Sequence, residues 1–123
     1  MIALDSSAFA RLLDGLHDRA SDAARDALDT RVATLPPVVL TELLSNPQIT
    51  APAIDYVASV PLLPLLDGYW SRAASLRADL LRRGFKAELA DCLIAQSCID
   101  HDIPLITYDR DFRHFMPAGL KLL

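Results

Sequence analysis

Met1-Ile2-Ala3-Leu4-Asp5-Ser6-Ser7 is an apolar run that stops on an acid and passes into hydroxyl residues. It reads as a short buried strand followed by a helix carrying Phe9, Leu12 and Leu13, with Ser6 or Ser7 suited to the cap and Gly15 ending it. Pro104-Leu105-Ile106-Thr107 is a second such strand, followed by Asp109. Between them the pattern predicts a helix over 18–28, a small strand over 32–35, and a helix begun by Pro36-Pro37 that runs to Leu44 and stops at Asn46-Pro47. A helix over 53–58 and a third strand over 60–66 come next, with Pro61 and Pro64 pushing that strand towards an edge. Asp67 is expected to cap a long helix through Arg82, which Gly84 terminates. The reading closes with a helix over 88–100, one helical turn over 111–115 and a last strand over 120–123. Strands alternating with helices make the fold class α/β, with a central parallel sheet flanked by helices on both faces.

The chain has 123 residues, suited to one domain over 1–123 with a real core. A hydrophobic content of 52% and a mean hydropathy of +0.25 exclude a disordered chain. The formal net charge of −4 gives no global basic field for nucleic acid, although a local basic face can still steer one. Cys92 and Cys98 are the only cysteines. Six residues apart on a helix, they are roughly 9 Å apart along the axis, too far for a disulfide. They read as reduced thiols packed in a cytoplasmic protein. No segment resembles a secretion signal or a membrane span. His17, His101 and His114 have no partner motif and read as surface or helix-end residues.

Four acids stand where a carboxylate is costly to bury unless it is paired or metal-bound. Asp5 and Asp109 follow strands whose carboxyl ends share one sheet edge, where ligands gather in such folds. Asp91 lies on the helix face of Ile94, Ala95 and Cys98, and Glu42 follows Val38 and Val39. Each has a plainer reading. Asp5 could cap a helix, Asp91 could complement a helix dipole, Glu42 could be solvated and Asp109 could form a turn. Together they make an all-oxygen set suited to Mg²⁺ or Mn²⁺, and to hydrolysis that needs no nucleophilic side chain.

These segments, in this order, resemble the PIN-domain ribonucleases, and especially the VapC toxins of toxin–antitoxin pairs. The resemblance rests on Ile2-Ala3-Leu4-Asp5-Ser6-Ser7, Val39-Leu40-Thr41-Glu42-Leu43 and Ala90-Asp91-Cys92-Leu93-Ile94-Ala95. Leu105-Ile106-Thr107-Tyr108-Asp109-Arg110-Asp111-Phe112 completes it, and the match runs over essentially the whole chain. It implies a PIN-like fold and Mg²⁺- or Mn²⁺-dependent cleavage of RNA. It also implies inhibition by a VapB-like antitoxin, and often a homodimer. Carried over by position, Asp5, Glu42, Asp91 and Asp109 form the acidic set, Thr107 is the hydroxyl that helps order it, and Asp111 is an extra acid or a helix cap. Cys92 departs from the commoner Ala.

Arg72, Arg77, Arg82, Arg83 and Lys86 make the long helix and its following loop locally positive. Arg82, Arg83 and Lys86 flank Gly84 just before the Asp91 helix, where phosphate attraction and plain solvation compete as readings. Tyr69 and Trp70 read as core or dimer packing before base stacking. The rival functions are a PIN-like RNA- or protein-binding module without catalysis, and a phosphoacceptor receiver domain. The second lacks paired acids after the first strand and a lysine between Lys86 and Lys121.

Overall fold

The computed structural model describes residues 1–123. In chain order the elements are β1 (Ile2–Leu4), α1 (Ser6–Leu13), α2 (Arg19–Asp29), β2 (Ala33–Thr34), α3 (Pro37–Leu44), α4 (Ala51–Ala58), α5 (Tyr69–Arg82), α6 (Leu89–His101) and β3 (Pro104–Ile106). A 3₁₀ helix (Arg110–Ala118) and β4 (Lys121–Leu122) complete the chain. The four strands form one all-parallel sheet in the order β2-β1-β3-β4.

From the central β1 the chain steps one way to β2, then back across β1 to β3. Right-handed crossovers therefore place α1 and α2 on one face and the α3–α6 segment on the other. The direction of winding reverses between β1 and β3, and the crevice at their carboxyl ends is the switch point of the sheet. Asp5 and Thr107 both lie at that crevice.

Strands of two or three residues cannot stabilise a fold by their ladder alone. One contiguous apolar cluster does most of the work, with Phe9, Leu4, Ile94, Leu105, Phe112 and Phe115 among its fully buried side chains. Helix α6 runs through its middle, buried from Ile94 to Cys98. Both cysteines are unbridged and buried there. Burial pushes the Cys98 thiol up to about 12 and raises Cys92 as well, so both pack as small apolar groups.

Four details differ from the sequence reading. The expected strand over 60–66 is reduced to a single bridge between Leu35 and Leu62. Pro61 and Pro64 lack the N–H groups a ladder requires, and the pairing ends at once. Asp67 is not a helix cap, because α5 starts at Tyr69 with Gly68 before it at φ 81°. Asp67 is thus one position too early, and its carbonyl instead accepts from Arg72 Nη1 at 2.7 Å. Helix α1 begins at Ser6, so the cap is Asp5 rather than either serine. The single turn expected over 111–115 is a longer 3₁₀ helix, reaching Ala118 and ending on Gly119 at φ 116°, a conformation favoured by glycine.

Two of the basic residues have structural jobs. Arg72 grips Asp100 through Nε at 3.0 Å and Nη2 at 2.6 Å, tying α5 to α6. Arg77 donates to the Ala87 carbonyl at 2.9 Å and fixes the loop ahead of α6. Tyr69 is buried with its hydroxyl donating to the Leu93 carbonyl at 2.7 Å, which makes it a packing residue, whereas Trp70 is exposed.

Candidate metal centre

Asp5 is 3% exposed at the end of β1 and is held from three sides. Its Oδ1 accepts from Ser7 Oγ at 2.7 Å and from the Ala8 amide at 2.9 Å. Its Oδ2 accepts from the Thr107 hydroxyl. Burial raises the Asp5 pKa, and the bonds from Thr107, Ala8 and Ser7 oppose that rise without cancelling it. A carboxylate offers roughly four acceptor directions, so one remains open here.

Thr107 ties two acids together. While its hydroxyl donates to Asp5, its Oγ1 accepts from the Asp109 amide at 3.0 Å. Ser7 makes a similar link by accepting from the Tyr108 amide at 3.1 Å. Asp109 then caps the 3₁₀ helix, with Oδ1 accepting from the Asp111 amide at 2.9 Å and its second oxygen left free of protein partners. The turn chemistry expected of Asp109 and a place beside Asp5 therefore coexist.

Asp91 and Glu42 arrive from the helices. Asp91 sits in the first turn of α6, where burial and then its neighbours Asp109, Glu88, Glu42 and Asp5 push its pKa up to about 6. Glu42 is raised by burial, opposed by the Ser6 hydroxyl, and raised further by Asp5 and Glu88. Its Oε1 is buried with no hydrogen-bond partner. Four acids from four parts of the chain thus share one electrostatic neighbourhood at the switch point.

Glu88 belongs to the same neighbourhood and was not singled out in the sequence reading. It stands three residues before Asp91, one helical turn away, and that spacing was the available signal. Glu88 also pairs with Lys86 at 3.3 Å, and Lys86 is further held charged by Asp111 and Asp109. Asp111 is exposed at the start of the 3₁₀ helix, beside Lys86 rather than among the buried acids.

The donor set fits a hard divalent ion, being all oxygen and including one buried oxygen without a partner. No three of these side chains already meet closely enough to hold an ion. Asp5 is fixed by three hydrogen bonds, whereas Glu42 keeps one buried oxygen without a partner. Thr107→Val, which keeps the shape and removes the hydroxyl, should weaken Mn²⁺ binding by roughly 10-fold, the low end for losing a group that orients a metal ligand. Calorimetric titration checks this, and unchanged affinity would mean that Thr107 does not order the set.

The family model for the PIN domain matches residues 2–116. No curated protein matches the sequence at a significant level. PIN domains are typically metal-dependent nucleases, in keeping with a neighbourhood of carboxylates. A match over this much of the chain, on an all-parallel sheet with acids at its switch point, places the protein in the PIN domain family.

Proposed function

We propose that the protein is a VapC-like endoribonuclease that hydrolyses RNA phosphodiesters with Mg²⁺ or Mn²⁺ and is neutralised by a VapB-like antitoxin. The observation that supports this reading is the mutual electrostatic influence of Asp5, Glu42, Asp91 and Asp109 around the β1–β3 crevice. When bound, the ion supplies charge stabilisation at the phosphate and lowers the pKa of water. Asp5, immobilised by Ser7, Ala8 and Thr107, would hold the ion at the crevice. Asp91 and Glu42 would supply further carboxylate oxygens, and Asp109 would be kept aligned by its cap. A binding module without catalysis would have no use for this many destabilising charges in one place.

An acidic, partly apolar groove lies next to Glu42, between α1, α3 and α4. It encloses about 850 Å³ and carries Asp14 and Glu42 among Leu13, Leu43, Ile49 and Tyr56. Its chemistry suits an antitoxin tail that presents apolar residues and an Arg, since guanidinium binds carboxylates bidentately. A homodimer and a larger toxin–antitoxin assembly belong to the same proposal. No helix is long and apolar enough to cross a membrane, and we place the protein in the cytoplasm.

Arg82, Arg83 and Lys86 are proposed to draw RNA towards the acids. Arg83 and Lys86 pair with Asp79 and Glu88 at 3.4 and 3.3 Å. Such exposed pairs are weak and exchange readily for phosphate. Purified protein should cleave single-stranded or structured RNA with Mg²⁺ or Mn²⁺ and stop on addition of EDTA. Co-expression with the product of the adjacent upstream reading frame should give an inactive complex, and the Gln triple variant of the three cations should bind RNA less tightly. Cleavage unaffected by EDTA would overturn the metal reading, and failure of the two proteins to associate would overturn the antitoxin.

A further inference from the structure

The 3₁₀ helix has three faces, because with three residues per turn the side chains at i and i+3 eclipse. Phe112 and Phe115 form the face packed into the core. Asp111 and His114 form the second, which meets the loop before α6, where the His114 ring stacks on Phe85 with centroids 4.7 Å apart. Arg110, Arg113 and Met116 form the third. That face lines a depression of about 280 Å³ shared with Thr107, Asp109 and Leu123.

Arg110 and Arg113 are exposed. Neither appears in any of the ion pairs, which instead engage Arg25, Arg72, Arg83, Lys86 and Lys121. A third cation without an ion pair packs on another residue of the depression. The Arg11 guanidinium lies 4.2 Å from the centroid of the Tyr108 ring, and Tyr108 also lines the depression. Tyr108 is itself held in place by Asp18 and by Ser21 Oγ at 2.6 Å. Cations without ion pairs thus line or adjoin a depression that also includes Thr107 and Asp109.

We infer that this depression is a single-stranded RNA subsite, in which Arg110 and Arg113 hold backbone phosphates beside Thr107 and Asp109 while Met116 and Leu123 support a ribose or base. The inference rests on the nuclease reading above. Its physical motive is that cations not already neutralised favour the approach of a polyanion to a carboxylate cluster, and Arg110 and Arg113 line the same depression as Thr107 and Asp109. Guanidinium suits phosphate because it donates in a fork. The apolar floor adds a surface for a sugar or base, such as single-strand binders combine with charge.

The test is binding of a fluorescent single-stranded RNA over a salt series, alongside cleavage of the same RNA. The variants are Arg110→Gln with Arg113→Gln, the corresponding Lys pair, and a control carrying Arg31→Gln with Lys121→Gln. The control makes the same change in net charge at the amino ends of β2 and β4, on the opposite edge of the sheet. The Gln pair should bind at least about 10-fold more weakly at low salt, with a salt slope shallower by roughly 1.4, the value for two lost phosphate contacts on a single strand. The Lys pair should retain most of the slope, and the control should match wild type. If the Gln pair behaves like the control while wild type binds and cleaves, this inference is wrong and the nuclease reading stands. If wild type neither binds nor cleaves RNA, both are wrong.

Discussion

Asp91→Asn should leave a folded protein whose RNA cleavage is slowed by more than about 100-fold, since losing even a group that orients a metal ligand costs roughly 10- to 100-fold. The same change should stabilise the metal-free protein at neutral pH. The native Asp91 pKa, pushed up to about 6, lies above its ordinary 3.8, so between those values the folded state binds more protons than the unfolded one. Stability from this group is therefore full below the lower value and falls as pH rises through the upper one. Asn imitates the protonated form and removes that loss. The variant's melting midpoint should thus match wild type near pH 4 and exceed it at pH 7. Added Mg²⁺ should raise the midpoint of wild type and leave the variant nearly unchanged. A variant that cleaves at the wild-type rate, or melts lower at pH 7 without metal, would remove Asp91 from the centre.

Phe112→Ala should give the largest loss of stability. The side chain is 1% exposed and packs on Phe115 with ring centroids 5.8 Å apart. Emptying a site of this kind costs roughly 3–5 kcal/mol. For a domain of this size that lowers the melting midpoint by roughly 10–20 °C. The same residue anchors the 3₁₀ helix that Asp109 caps and that displays Arg110 and Arg113. Activity should therefore fall with warming well before wild type does and recover at low temperature. Differential scanning calorimetry checks the first part, and a shift of only a few degrees would show that the helix is held mainly by other contacts.

The positions of Asp5, Asp91 and Glu42 stood out in the sequence because each interrupts an apolar pattern. Asp5 ends Ile2-Ala3-Leu4, Asp91 shares a helix face with buried Ile94 and Ala95, and Glu42 follows buried Val39. The α/β alternation was legible for the same reason. What stayed hidden depends on contacts between distant residues. Nothing local distinguishes Arg72, committed to Asp100 28 positions away, from Arg113, which is free. The segment over 60–66 has strand-like residues, but a ladder needs donors that its prolines lack. The extent of the 3₁₀ helix depends on Phe112 and Phe115 both reaching the core. The period of three that separates Arg110 and Arg113 from Asp111 becomes visible only once that helix type is known.

The bond between Thr107 and Asp5 joins residues 102 positions apart, and it bears on when the centre comes into being during synthesis. A ribosome releases β1 first, but its neighbour β3 emerges only after all six α-helices. Until then Asp5 lacks the hydroxyl that anchors it, Asp109 has no cap to make, and the arginine face does not exist. Parallel pairing across so long a separation also forms slowly, because the chain entropy is lost before the contacts are gained. A partly made chain therefore lacks an assembled centre, whatever the finished one acts on. On the toxin reading proposed above, the interval between completion and activity is the time in which the proposed antitoxin would have to bind.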